Sequence, residues 1–272
     1  MLSYPDIDPV ALALGPIKIH WYGITYVVGI VTAWLLLRWR AKKDLTMESP
    51  VLGWKQEHID DMVFYATLGI IIGGRLGSVL FYNLPYYLDH PIDIFKINQG
   101  GMSFHGGLIG VLLAMFWFAR KTNSRFFNVI DFIAPVVPIG LGCGRIGNFI
   151  NGELWGAPSS VPWAMIFPSA YAGGVPRHPS QLYEALLEGL LLLIILWFYS
   201  AKPRPMMAVS GLFLLGYGIF RSSIEFVREP DAHLGYLAFD WLTMGQILSL
   251  PMILLGIILL VLAHRNASLI KK

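Results

Sequence analysis

Long apolar runs separated by short polar segments set the pattern of this chain. Seven such runs cover approximately residues 19–38, 60–82, 104–119, 129–147, 181–200, 210–227 and 243–263. Each is near the ~20 residues a helix needs to cross a hydrocarbon core. The third is short. The fourth is interrupted by Pro135 and Pro138, which remove backbone donors and are expected to kink it. Glycines recur at four-residue spacing at Gly69, Gly73 and Gly77, at Gly106 and Gly110, and at Gly140 and Gly144. In membrane helices such stripes let backbones approach closely. The pattern predicts an all-α integral membrane protein with seven transmembrane helices in a single domain, residues 1–272. No long internal repeat of the kind found in many transporters is visible.

Composition agrees. The 272 residues are 56% hydrophobic and 14% charged, where a soluble domain carries about a quarter charged residues, and the mean hydropathy is +0.60. With one cysteine, Cys143, an internal disulfide is excluded; in its glycine-rich helix Cys143 reads as a small packing residue. Residues 1–17 lack the basic start, apolar run and small-residue cleavage site of a signal peptide. The first apolar helix is therefore expected to act as its own insertion signal.

Net charge, +3, matters less than its placement. Thirteen lysines and arginines fall in one set of loops: Arg38, Arg40, Lys42, Lys43 and Lys55, then Arg120, Lys121 and Arg125, then Lys202 and Arg204, then Arg265, Lys271 and Lys272. The opposite set holds four, Lys18, Lys96, Arg177 and Arg228. The positive-inside rule makes the first set cytoplasmic. The N-terminus is then periplasmic and the C-terminus cytoplasmic, as an odd number of spans requires. Loops 83–103 and 148–180 lie outside and are expected to form small periplasmic caps over the membrane surface.

The remaining arginines, Arg75, Arg145 and Arg221, fall inside spans two, four and six, each past the midpoint of an outward-running helix. A central arginine costs about 2.5–3.5 kcal/mol on insertion scales. Three cations at one depth need counter-charges or a bound anion. Glu225 lies one turn after Arg221, Glu184 and Glu188 occupy the outer half of span five, and Glu153 follows Arg145. Two readings stay open: an ion-pair network that positions helices, or an anion site whose planar guanidinium forks hold a lipid phosphate. His105, at the start of span three beside Gly106 and Gly107, is open to roles as a general base, a helix cap or a hydrogen-bond partner. No metal-ligand spacing, nucleotide-binding glycine loop or serine elbow is present.

The stretch from Gly144 to Gly156, Gly-Arg-Ile-Gly-Asn-Phe-Ile-Asn-Gly-Glu-Leu-Trp-Gly, closely resembles the signature of the prolipoprotein diacylglyceryl transferases of bacterial inner membranes. The resemblance extends to His105-Gly106-Gly107, to Arg177 through Glu184 and to Tyr217 through Pro230, and covers nearly the whole chain. It implies transfer of the diacylglyceryl group of phosphatidylglycerol to the thiol of the lipobox cysteine in a prolipoprotein signal peptide. A thioether forms and glycerol 1-phosphate leaves. It implies catalytic roles for His105, Arg145 and Arg221, with Arg145 and Arg221 on the phosphate and Arg221 nearest the leaving group. His105 is a candidate general base beside an arginine-assisted alternative. Tyr22, Asn148, Glu153, Gly156, Tyr217 and Glu225 would bind substrate, and Glu225 with Arg228 would tune Arg221. The expected location is the bacterial cell inner membrane, with the site toward the periplasmic leaflet and the bilayer as partner. No metal, cofactor or nucleic acid is expected. The competing class is a transporter for an anion or lipid, which would need polar groups through both halves of the membrane. Here the ionisable groups gather in the outer half.

Overall fold

A computed structural model describes residues 2–5, 7–15, 17–42, 54–97, 100–230, 235–239 and 241–270. Lys43, Lys271 and Lys272 of the charge count, and positions 98 and 99 of the 83–103 loop, lie outside the described residues. The helices are α1 (Trp21–Lys42), α2 (Gln56–Gly77), α3 (Leu84–Asp89), α4 (Phe104–Lys121), α5 (Phe126–Ile133), α6 (Val137–Ile150), α7 (Ser180–Glu184), α8 (Leu192–Tyr199), α9 (Ala208–Glu225) and α10 (Met244–Ile270). α2 continues through a π turn, Ser78–Tyr82. A 3-10 turn at Ala134–Val136 joins α5 to α6 at the first of the two prolines expected to kink this helix. A π segment, Ala185–Leu191, joins α7 to α8.

Among the described residues, five stretches are long and apolar enough to cross a membrane: Trp21–Lys42, Gln56–Tyr82, Phe126–Ile150, Ser180–Tyr199 and Met244–Asn266. The other two predicted spans are helices of 18 residues, α4 and α9. Large apolar side chains such as Val27, Leu35, Ile72, Leu113, Leu254 and Val261 are exposed, as a lipid-facing surface requires.

Strands were not expected from the sequence. β2 (Val10–Leu14) and β3 (Ile17–His20) form an antiparallel hairpin, and β1 (Leu2–Ser3) pairs in parallel with β4 (Met165–Ile166). β1 and β4 are two residues long and β2 is uniformly apolar, while the alternation in β3, Ile17-Lys18-Ile19-His20, runs for only four residues, too short to stand out.

The described residues cluster into two compact units, one drawn from Met1–Leu37 and Asp131–Lys272, the other mainly from Ser49–Ile130. In the second unit, α2 packs on α4 through the predicted glycine stripes. A Cβ on Gly69 would lie 2.6 Å from the Gly110 carbonyl oxygen, and one on Gly77 would lie 2.6 Å from the Gly106 Cα. Real Cβ atoms do not tolerate such distances, so glycine sets this crossing. α4 starts at Ser103, whose hydroxyl accepts from the Gly106 amide at 3.1 Å. Arg75, buried on α2, donates to five backbone carbonyls: Nε to Ile94, Nη1 to Gly100 and Gly101, and Nη2 to Asp93 and Lys96. A guanidinium has five N–H groups, so this one is saturated by the loop that follows α2.

In the first unit, Ala134, Leu192, Leu196 and Val209 form a buried core against which Leu212, Phe213, Tyr217 and Phe220 of α9 pack. α9 begins at Met207, whose φ of 77° is left-handed. Its first amides are satisfied from far away in sequence: the fully buried Asp131 accepts from Met207 N at 2.6 Å and from Ser210 N at 2.7 Å. It also accepts from the Ser210 hydroxyl. α6 meets the π segment at Gly142 and Gly189, where a Cβ on Gly189 would lie 2.8 Å from the Gly142 Cα. Gly140 instead lies opposite Gly29, and Gly144 opposite the Tyr26 ring.

Candidate active site

The glycine contact between Gly142 and Gly189 fixes what happens one turn away. Arg145 follows Gly142 by three residues, and Glu188 immediately precedes Gly189. With the backbones this close, Arg145 Nε reaches 3.0 Å from Glu184 Oε2, an ion-pair contact whose angle falls short of a hydrogen bond. Its Nη2 lies 3.8 Å from Glu188 Oε2. The other oxygen of Glu184 accepts from Arg221 Nη1 of α9 at 2.8 Å. One carboxylate thus bridges the two arginines.

Beyond it the chain of charges continues. Arg221 Nη2 lies 2.5 Å from Glu225 Oε1, and Arg228 Nη1 lies 3.3 Å from the same oxygen. The second oxygen of Glu225 accepts from the Thr243 hydroxyl. Gly245, at the start of α10, leaves the room that this carboxylate fills: a Cβ there would lie 2.5 Å from Glu225 Cδ. Tyr217 stands one turn before Arg221, its ring stacked on Phe213, and its hydroxyl feels the charges of Glu188, Arg221 and Arg145. Glu184 and Glu188 are fully buried, whereas the Arg145 and Arg221 side chains keep 20% and 12% exposure. The cations are therefore the reachable edge of the cluster.

At the end of α6 a second group forms. Asn148, one turn after Arg145, donates Nδ2 to Glu153 Oε1 at 2.9 Å, and Asn151 donates to the same oxygen at 3.3 Å. The turn that brings Glu153 back passes through Gly152 and Leu154, both left-handed, at φ 64° and 58°. Gln181 and Ser180 of α7 tie it down through the carbonyls of Glu153 and Leu154. Gly147 makes room for Tyr22, since a Cβ there would lie 2.8 Å from Tyr22 Cδ2. The Tyr22 hydroxyl meets that of Tyr26 at 3.2 Å and interacts with Asn148 and Glu153.

Gly156 sits in a backbone crossing outside the arginine cluster. Its amide donates to the His178 carbonyl at 2.8 Å and it bridges to Arg228, and a Cβ would clash with both neighbouring strands of chain. His105 lies on the first turn of α4, in the other unit, exposed, with Nδ1 3.4 Å from the Tyr82 hydroxyl. Ser103 fills the cap position, so of the roles left open for His105 the cap is removed.

Three contributors were not singled out from the sequence. Arg177, counted there as a loop cation, is buried and clasps the surrounding loops, donating Nε to Ala172 O, and Nη1 to Gly156 O and to Glu229 Oε2 at 2.8 Å. Thr243 and Asp131 hold Glu225 and the start of α9. A Pro-rich neighbourhood around Arg177 is the sequence signal closest to a folded loop. Nearby, Trp163 Nε1 donates to the Tyr183 hydroxyl at 2.6 Å, and the same hydroxyl lies 3.1 Å from His178 Nδ1. Burial holds the His178 imidazole below the usual histidine range.

A profile of the prolipoprotein diacylglyceryl transferase family matches residues 9–262, a stretch that contains every residue of the site. The chain belongs to this family. It is 61% identical over 268 residues to a phosphatidylglycerol–prolipoprotein diacylglyceryl transferase of Methylococcus capsulatus, covering 98% of this chain and 100% of the relative. Relatives of the same description from Pseudomonas aeruginosa and Pseudomonas fluorescens are 60% and 59% identical, each covering 98% of this chain and 97% of the relative. The arginine–carboxylate cluster and the Asn148–Glu153 group are thus the local architecture of a family member whose match runs across both units.

Proposed function

We propose that this chain transfers the diacylglyceryl group of phosphatidylglycerol to the thiol of the lipobox cysteine of prolipoproteins. The product is a thioether and glycerol 1-phosphate leaves. Forming the carbon–sulfur bond breaks the glyceryl carbon–oxygen bond, so the whole phosphate departs with the glycerol headgroup. Its negative charge grows as the bond breaks, and the thiol must lose its proton. Arg145 and Arg221 are the groups suited to the phosphate, because they combine a shared buried counter-ion with reachable N–H edges. Arg221 stands nearest the leaving group in this reading, with Glu225 and Arg228 setting its position. Tyr22, Asn148, Glu153 and Tyr217 orient the headgroup, and Gly156 keeps the outer loop in place. His105 is the candidate base for the thiol proton on the family resemblance, with arginine-assisted deprotonation as the alternative.

The protein works as a single seven-span domain of the bacterial inner membrane, N-terminus periplasmic and C-terminus cytoplasmic. Loops 83–103 and 148–180 cap a site that opens to the periplasmic leaflet. The observation that carries the reading is one buried carboxylate, Glu184, joining two partly exposed arginines in a chain of this family. The test is a transfer assay with purified protein in detergent, phosphatidylglycerol and a lipobox peptide, following glycerol phosphate. Release that depends on the peptide's cysteine supports the transferase. Binding of anionic lipid without release would move a lipid or anion transporter to first place.

A further inference from the structure

Glu188 is the carboxylate of the cluster that the surrounding structure does not compensate. Its side chain is fully buried, and among the described residues neither oxygen finds a hydrogen-bond donor. The nearest cationic contact is Arg145 Nη2 at 3.8 Å, beyond hydrogen-bond distance. Glu184 and Glu225, by contrast, each take a hydrogen bond from an arginine. The charged and titratable groups that act on Glu188 are Arg145 of α6, Glu184 one turn earlier on its own helix, Tyr217 and Arg221 of α9, and Arg228 just beyond. The Gly142–Gly189 contact beside it brings the two backbones together and keeps the carboxyl in this position.

The charges then decide its state. Arg145, Arg221 and Arg228 face Glu184, Glu188 and Glu225, so a fully ionised cluster has no net charge left for an anion. A singly charged phosphodiester brought to such a neutral cluster in a low-dielectric site loses its hydration without a compensating charge. One proton on the cluster removes that obstacle. Glu188 is the member that can take it without breaking a hydrogen bond.

We propose that Glu188 is a charge-balancing residue that takes up one proton from solvent when a phosphodiester headgroup docks on Arg145 and Arg221, and so acts on the lipid through Arg145. The inference rests on the phosphate role given to the two arginines above.

The experiment is calorimetric titration of the full-length protein in detergent with a short-chain phosphatidylglycerol, at pH 8, in two buffers of different ionisation enthalpy. The difference in apparent enthalpy counts protons. The wild-type protein is expected to take up about one proton per lipid, and its affinity to fall as pH rises, approaching about tenfold per unit. Glu188→Gln, neutral and of the same shape, is expected to bind with no proton uptake and a flat affinity from pH 6 to pH 9. Wild-type binding without proton uptake overturns the proposal and leaves the phosphate site standing. The same proton count in Glu188→Gln also overturns it. Wild-type protein that does not bind the lipid overturns both the proposal and the phosphate site. Because the wild-type proton count is itself decisive, the outcome does not hang on the variant's folding.

Discussion

Arg75 and the pair Arg145 and Arg221 each fall past the midpoint of a long apolar run, yet their surroundings differ in kind. Arg75 gives five N–H groups to five backbone carbonyls and stacks on the Tyr87 ring, its Cζ 5.2 Å from the centroid. No donor is left for a ligand. Arg145 and Arg221 share carboxylates instead, and keep part of their surface open. Carbonyl partners saturate a cation without cancelling its charge, and they are fixed parts of a loop fold. Carboxylate partners hold a cation in place while leaving it able to trade one anionic partner for another. Burial of an arginine does not by itself mark a binding site; the chemistry and number of its acceptors do.

The sharpest way to break this contrast is Arg221→Ala. Transfer is expected to fall by about 10²–10³-fold or more while the protein remains folded in the membrane. A normal transfer rate in the purified variant would sink the leaving-group role. Arg75→Gln should do the reverse. It leaves carbonyls of a part-exposed loop without their donor, at a cost of about 1–3 kcal/mol, so thermal unfolding in detergent should drop while the folded fraction turns over at the wild-type rate. A variant that folds normally but is inactive would erase the distinction between the two arginine environments.

Asp131→Ala tests whether the far end of α9 is part of the site's support. Losing a cap of three donors should cost about 2 kcal/mol, with a smaller loss of transfer than in Arg221→Ala. Mild acid should have a smaller effect still. The His178 imidazole is held below its ordinary range by burial, so its contribution to stability is complete above about pH 6.5. It is lost as pH falls from there toward the folded value. His178→Gln should flatten that part of the stability profile, as followed by unfolding in detergent between pH 7 and pH 5. Last, Cys143→Ser should leave transfer unchanged; marked loss at normal expression would reopen a covalent route through the enzyme.

Much of this was readable from the chain, and the rest was hidden for definable reasons. Helices stand at all seven predicted apolar runs, because long hydrophobic stretches report helix length directly. The stripes on α2 and α4 interlock as their spacing implies. Gly142 did not stand out beside Gly140 and Gly144, because its partner Gly189 lies on a π segment that carries no sequence signature. The gathering of arginines and glutamates was visible, but the division between Arg75 and the others was not. Its acceptors are main-chain carbonyls 18 to 26 residues onward, and every residue type has a carbonyl. Asp131 was hidden in the same way, since it caps a helix 76 to 79 residues away.

The i,i+4 contact between Arg221 and Glu225 has a consequence for how the polypeptide enters the bilayer. A nascent α9 brings its own counter-ion, one turn away, so it can partition as a neutral segment. Arg145 has no carboxylate on α6, and its partners Glu184 and Glu188 are synthesised about forty residues later. Arg145 therefore has no carboxylate partner until the segment that carries Glu184 has been made, a delay that Arg221 does not face.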